Sequence, residues 1–223
     1  MKPLAWSYSS LSDFVNCPRS YYEKRIAKSV TEVRSEPMIW GEYVHKMFEL
    51  RVKDGTPLPK DLEAHEEFLL RQITYGGEQH VERKVALSTS LKPCGFFSRD
   101  PPVFHRGVVD YTRIIAPKAW VIDYKTGKAH GKFEQLMLNA IWLFEAEPTI
   151  QEIEVAYYWT TTRTTTTETY TRRDIPLLWK RFVPDLKQYA EAFKTDVWQP
   201  RQSGLCAGYC PVTTCEFWRP KRR

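Results

Sequence analysis

The sequence predicts an α+β (α/β) fold, a mixed β-sheet flanked by helices, and three observations carry that prediction. The first 80 residues hold three stretches whose apolar residues recur at helical spacing. Three β-branched runs follow in quick succession, "VERKVALSTS", "VFHRGVVDYTRII" and "AWVIDYK", the last two parted by Pro117. An apolar helical stretch, "FEQLMLNAIWLFEAE", then leads into a further β-branched and aromatic segment, "EIEVAYYWTTTRTTTTETYTRRDI". The order helices, strand, strand, strand, helix, strand suits helices packed on a mixed sheet.

Taken in order, Ser9 or Ser10 is expected to cap a helix through "LSDFVNCPRSYYEKRIA", with Pro18 bending or interrupting it. In "MIWGEYVHKMFELRVKDG", Ile39, Trp40, Tyr43, Val44, Met47 and Phe48 keep helical spacing, and Asp54-Gly55 with Pro57 and Pro59 end it. "DLEAHEEFLLRQITYGG" predicts a third helix stopped by Gly76-Gly77. Residues 90–103, rich in Gly, Pro and Ser, connect the first two strands. The threonine-rich run has strand rather than disorder propensity, so a hairpin turning near Arg163 is expected. A long helix, "PLLWKRFVPDLKQYAEAFKTDVW", carries Pro184 inside it. The expectation is a single domain: residues 1–80 helical, 81–160 the core sheet and helix, 161–223 the hairpin, last helix and cysteine cluster.

Hydrophobic residues make up 42% and charged residues 27% of the 223, as in ordinary globular proteins with a sizeable core. No apolar run approaches the roughly 18 residues of a membrane span. The start, "MKPLAWSYSS", lacks the apolar core of a signal peptide, so a cytoplasmic location is expected. A net charge of +6, a pI near 9.0 and the terminal "RPKRR" suit a polyanionic partner without demanding one.

In "AWVIDYKTGKAH", Asp123 and Lys125 share one strand face, which allows either a surface ion pair or a catalytic pair. Asp110 likewise interrupts an apolar strand, and Glu82 lies on the strand before it. Buried carboxylates need partners. Two of them about 4 Å apart repel by roughly 4 kcal/mol at an effective dielectric near 20. A divalent cation reverses that sign, and hard Mg²⁺ or Mn²⁺ suits oxygen donors.

These motifs, in this order, resemble the PD-(D/E)XK nucleases, and within them the RecB-type branch, over nearly the whole chain. "GEYVHKMFE" looks like the family's Gly-x-x-x-His helix, "VERKVAL" its glutamate-bearing strand, "RGVVDY" its Gly-x-x-Asp motif, and "IDYKTGK" its Asp-x-Lys core. "EQLMLNA" resembles the Gln-Leu helix that follows, with Asn139 where the family has a tyrosine. The resemblance implies a restriction-endonuclease-like core. It implies His45, Asp110, Asp123 and the Tyr124 carbonyl as ligands to Mg²⁺ or Mn²⁺, with Glu82, Lys125 and Gln135 completing the catalytic set. The implied reaction is metal-assisted phosphodiester hydrolysis.

Five cysteines, an odd number, argue against a disulfide framework. Cys206, Cys210 and Cys215 fall within ten residues, a spacing that suits thiolates on one metal centre, and Cys17 is the natural fourth donor. That arrangement resembles the iron–sulfur staple of RecB-type nucleases, among them CRISPR-associated exonucleases. It implies a [4Fe–4S] cluster joining the two ends of the chain, with Zn²⁺ as the alternative; Cys94 is left over. The expected activity is an exonuclease on single-stranded DNA ends or flaps in phage or bacterial recombination and repair. Its partner would be a helicase, annealing or integration protein. The alternatives are a CRISPR-adaptation nuclease, a non-catalytic DNA-binding subunit and a zinc-stapled RNA-binding module.

Overall fold

The computed structural model describes residues 4–32 and 34–220; Met1–Pro3 of the amino-terminal stretch and Lys221–Arg223 of the basic run lie outside them. Among the described residues, seven α-helices and five strands follow in the order α1 (Tyr8–Asn16), α2 (Pro18–Tyr21), α3 (Glu36–Asp54), α4 (Glu66–Thr74), β1 (Glu78–Ser88), β2 (Val103–Ile115), β3 (Lys118–Lys125), α5 (Glu134–Ala146), β4 (Glu152–Trp159), β5 (Thr164–Thr171), α6 (Ile175–Lys180) and α7 (Val183–Thr195). Among the described residues no helix is long and apolar enough to cross a membrane. The chain divides into two compact units, one of residues 1–34 with 179–223, the other of residues 35–178.

In the first unit the cap of α1 is Ser7, not Ser9 or Ser10. Its hydroxyl accepts the Ser10 N–H while the Ser10 hydroxyl closes the reciprocal box. Serines at three of four successive positions make the choice ambiguous in sequence, and the box decides it. Pro18 interrupts the helix as expected: Cys17 is extended (φ −162°) between the end of α1 and the start of α2. Pro184 has a larger effect than the sequence suggests. It opens α7 at its first turn, where a missing N–H costs nothing, so the expected long helix is two helices parted at Arg181–Phe182. The unit's core is aromatic. Phe14 meets Tyr21 and Tyr189 edge-on, and the two tyrosine hydroxyls are hydrogen-bonded at 2.7 Å.

The second unit is built on one sheet in the order β1-β2-β3-β4-β5. Neighbours are antiparallel except β3 and β4, which run parallel because α5 carries the chain back between them. The predicted hairpin turns at Arg163, which adopts a left-handed conformation. One face of the sheet is closed by α3 and α4. Val44, Phe48 and Leu69 pack there against Tyr111, Ile122, Tyr124, Ala156 and Tyr158, whose period-2 spacing on their strands makes them a single layer. α3 ends at Gly55, whose positive φ (73°) supplies the left-handed stop. α5 is buried over most of its circumference, as its broad apolar face predicts.

Candidate metal sites

Strand register brings the acids together. β1 and β2 pair Val81 with Tyr111 and Arg83 with Val109, so Glu82 and Asp110 fall opposite one another between those pairs. β2 and β3 pair Tyr111 with Ile122, which sets Asp110 and Asp123 side by side where that pairing ends. Asp110 is 6% and Asp123 1% exposed, so neither carboxylate can rely on water for its solvation. Asp110 Oδ2 accepts the Tyr124 N–H at 2.8 Å, and His45 Nδ1 lies 3.3 Å from the same oxygen. Tyr124 turns its ring into the core, edge-on to Phe48 and to His45.

His45 reaches this point because α3 passes close to the turn after β3. A Cβ on Gly41 would stand 3.3 Å from Thr126 Oγ1, so the glycine permits the approach and His45 follows one turn later. Among the described residues, His45, Glu82 and Asp110 are the group of three whose donor atoms all lie within 4.8 Å of one another. They line a cavity of about 460 Å³ with Gly41, Lys46 and Val108.

Glu82 is held there at a cost. Its φ is +50° in the middle of a strand, a conformation that a glutamate adopts only when its surroundings impose it. The electrostatics match the crowding. Burial and then repulsion from Asp110 raise Glu82 to about 7. The same two causes raise Asp123 to about 6, against the pull of Lys125. Burial lowers His45, but hydrogen bonding and attraction from Asp110, with Asp123 and Glu82 beyond, outweigh it and raise the imidazole to about 9. A divalent cation held by these atoms would displace those protons, and the hard oxygen and imidazole set fits Mg²⁺ or Mn²⁺.

Asp123 is engaged instead by Lys125 and Gln135. Lys125 Nζ lies 2.6 Å from Asp123 Oδ2 and donates to Gln135 Oε1 at 2.7 Å; Gln135 Nε2 donates to Asp123 Oδ1 at 2.6 Å. The three side chains form a closed ring, which fixes the ammonium beside the acid. Tyr157, on β4 opposite Asp123, places its ring 5.2 Å from the same ammonium. No sequence signal marks Tyr157, since an aromatic within an apolar strand ordinarily means core. Asn139, one turn beyond Gln135, is buried with its amide nitrogen unpaired.

The cysteines are arranged differently. All five are free. Cys17, Cys206, Cys210 and Cys215 line one pocket of the first unit with Ser20, Val212 and Trp218, and Cys94 lies elsewhere. Cys17 Sγ accepts the Arg201 N–H at 3.4 Å and Cys206 Sγ the Ser203 N–H at 3.5 Å.

Comparison with known proteins places this geometry in a family. No curated protein matches the chain in sequence. Among solved structures, a candidate exonuclease from Eubacterium rectale shares the fold at 11% identity and a TM-score of 0.53, covering 95% of this chain and 86% of its own. A second structure, SSO0001, aligns at 16% identity and a TM-score of 0.49 over 95% of this chain and 85% of its own. The family model of the PD-(D/E)XK nuclease superfamily matches residues 5–215, and the chain belongs to that superfamily.

Proposed function

We propose that the protein is a divalent-metal-dependent deoxyribonuclease of the RecB type, an exonuclease on single-stranded DNA ends. The observation that carries this reading is the juxtaposition of a His45–Glu82–Asp110 donor group with the Asp123–Lys125–Gln135 ring. His45, Asp110, Asp123 and the Tyr124 carbonyl would hold Mg²⁺ or Mn²⁺, with Glu82 beside them in the catalytic set. When bound, the metal polarises the scissile phosphate and acidifies a water. Asp110, fixed by the Tyr124 N–H, sets the distance between helix and sheet ligands. Lys125 presents its ammonium to the charge that develops on the phosphate, and Gln135 keeps it from turning away. The name of the Eubacterium rectale neighbour agrees with exonuclease action.

The four cysteines are proposed to hold a [4Fe–4S] cluster that staples the first unit. Soft thiolate donors suit an iron–sulfur cluster, with Zn²⁺ as the alternative, and backbone N–H groups already point at two of the sulfurs. The pathway proposed is recombination or repair, in a phage or bacterial cytoplasm, beside a helicase, annealing or integration partner. The test of the activity is end-labelled single-stranded, duplex and circular DNA with Mg²⁺ or Mn²⁺. Progressive loss of single-stranded ends while circles survive is expected; cleaved circles would make the enzyme an endonuclease. No cleavage in either metal would leave a DNA-binding subunit.

A further inference from the structure

The long connection between β1 and β2 carries an exposed aromatic and basic patch that the metal chemistry does not use. Phe97 is 74% exposed, extreme for a phenylalanine, and it meets Phe96 edge-on at 4.9 Å. The Arg106 guanidinium lies 5.4 Å from the Phe96 ring centre and 6.0 Å from that of Phe97, and the Lys84 ammonium lies 5.9 Å from Phe96. Among the described residues neither Lys84 nor Arg106 has a carboxylate partner. Two cations and two aromatic rings are thus gathered on a surface with no internal charge to satisfy them.

Register ties the patch to the acid site. Lys84 pairs with Val108 and Ala86 with Arg106, on the same two strands that set Glu82 opposite Asp110. Cross-strand partners share a sheet face, and so do residues two apart along a strand. Asp110, Val108 and Arg106 therefore form one row, with Glu82 and Lys84 in the row beside it. Val108, 37% exposed, lines the same cavity as Glu82 and Asp110. At about 3.3 Å per residue, Asp110 and Arg106 stand about 13 Å apart, room for about two nucleotides of an extended single strand.

We infer that this ribbon is the track along which single-stranded DNA enters the metal site. Lys84 and Arg106 neutralise backbone phosphates, and Phe97, backed by Phe96, stacks an unpaired base. Stacking on an aromatic face requires a base free of its complement, so the track selects single strands over duplex. The inference rests on the proposed nuclease activity and adds the substrate's path and the side chains that select a single strand.

The test is fluorescence anisotropy of a labelled oligothymidylate, and of a duplex of equal length, in chelator so that nothing is cleaved. Phe97→Ala, at an exposed position that the fold does not need, should weaken single-strand binding about tenfold and duplex binding far less. Lys84→Gln and Arg106→Gln should each lower the logarithmic salt slope by about 0.7. All three variants binding as the parent does would overturn the inference, as would an equal loss for single strand and duplex. Because binding is read without metal, a parent that never cleaves refutes the nuclease reading and leaves the track standing. Variants that cleave short single strands with the parent's KM refute the track and leave the nuclease.

Discussion

The acid site and the cysteine pocket are both proposed as metal sites, and their donors are assembled by opposite means. Glu82, Asp110 and Asp123 sit on three adjacent strands, where ladder hydrogen bonds set their separation, and His45 is added by a helix whose approach Gly41 fixes. Of the thiols, only Cys17 lies at a helix boundary. Cys206 ends a single 3₁₀ turn, and Cys210 and Cys215 lie beyond it, outside helix and strand. A site drawn by a sheet exists before its metal arrives, and filling it mainly relieves repulsion. A site on irregular chain depends on its metal for order, so that binding energy there is folding energy. The two should therefore fail in different ways.

The largest effect expected is on cleavage. Lys125→Met should lower kcat by about 10²–10³-fold, the usual cost of removing one preorganised charge-stabilising donor. It should leave Mn²⁺ binding intact, since the ammonium holds no metal. Asp110→Asn should match that loss and also weaken Mn²⁺ binding, seen by calorimetry. Both proteins should melt within a few degrees of the parent, because the sheet draws the site. If Lys125→Met cut DNA at the parental rate, the ring with Asp123 and Gln135 would be a structural ion pair.

Next in size is the loss of the staple. Cys17→Ser and Cys210→Ser should each abolish the iron content and the absorbance near 400 nm of anaerobically purified protein. Each should lower the first melting transition by several degrees, whereas Cys94→Ser should change neither. Stoichiometric zinc without iron would replace the cluster and keep the staple. Full metal content in Cys17→Ser would remove the contrast between the two sites altogether.

The elements of the fold were legible because each has a strong local signal: β-branched and aromatic runs for β1 to β4, a broad apolar face for α5, and Gly55 and Pro18 as stops. The breaks were less so. Pro184 was visible, but whether a proline kinks a helix or begins one depends on which neighbour packs against it. Asp110, Asp123 and Lys125 stood out because charges in apolar strands are costly. Glu82 was the weaker candidate, since it lies among other charges in "VERKVAL"; its place in the series of strands and the resemblance pointed to it, and its cross-strand position opposite Asp110 gives the physical reason. Gln135 looked like one polar residue of a helix; its two hydrogen bonds are tertiary and leave no trace in spacing.

A smaller effect separates the sites by pH. His45 is raised from its ordinary 6.5 to about 9 and Glu82 to about 7, so the folded protein holds protons that the unfolded chain has released. Stability from these groups is complete at low pH and is lost as pH rises through the folded values. His65, which burial lowers, acts in the opposite sense and only below its unfolded value. Melting in chelator between pH 7 and pH 9 therefore isolates the acid site. The second unit should lose stability across that window, and Mg²⁺ should restore most of it at pH 9. A melting point that rises with pH in chelator would mean that the carboxylates do not govern His45.

The smallest effect concerns the strain at Glu82, and it asks whether the sheet holds that residue against its preference. A left-handed non-glycine residue costs about 1–3 kcal/mol, part of which glycine gives back through its freer unfolded chain. Glu82→Gln removes the carboxylate charge and keeps the strained backbone; Glu82→Gly removes both. Each should weaken Mn²⁺ binding and relieve the repulsion with Asp110 to the same degree. In chelator the glycine variant should melt above the glutamine variant by about 2–4 °C, the shift expected for about 1 kcal/mol in a chain of this size. That ordering, with metal affinity lowered in both, would mark Glu82 as a position where stability is given up for a ligand. A glycine variant that melts below the glutamine one would show that the side chain supports the strand, and that the positive φ carries no cost the metal site has to offset.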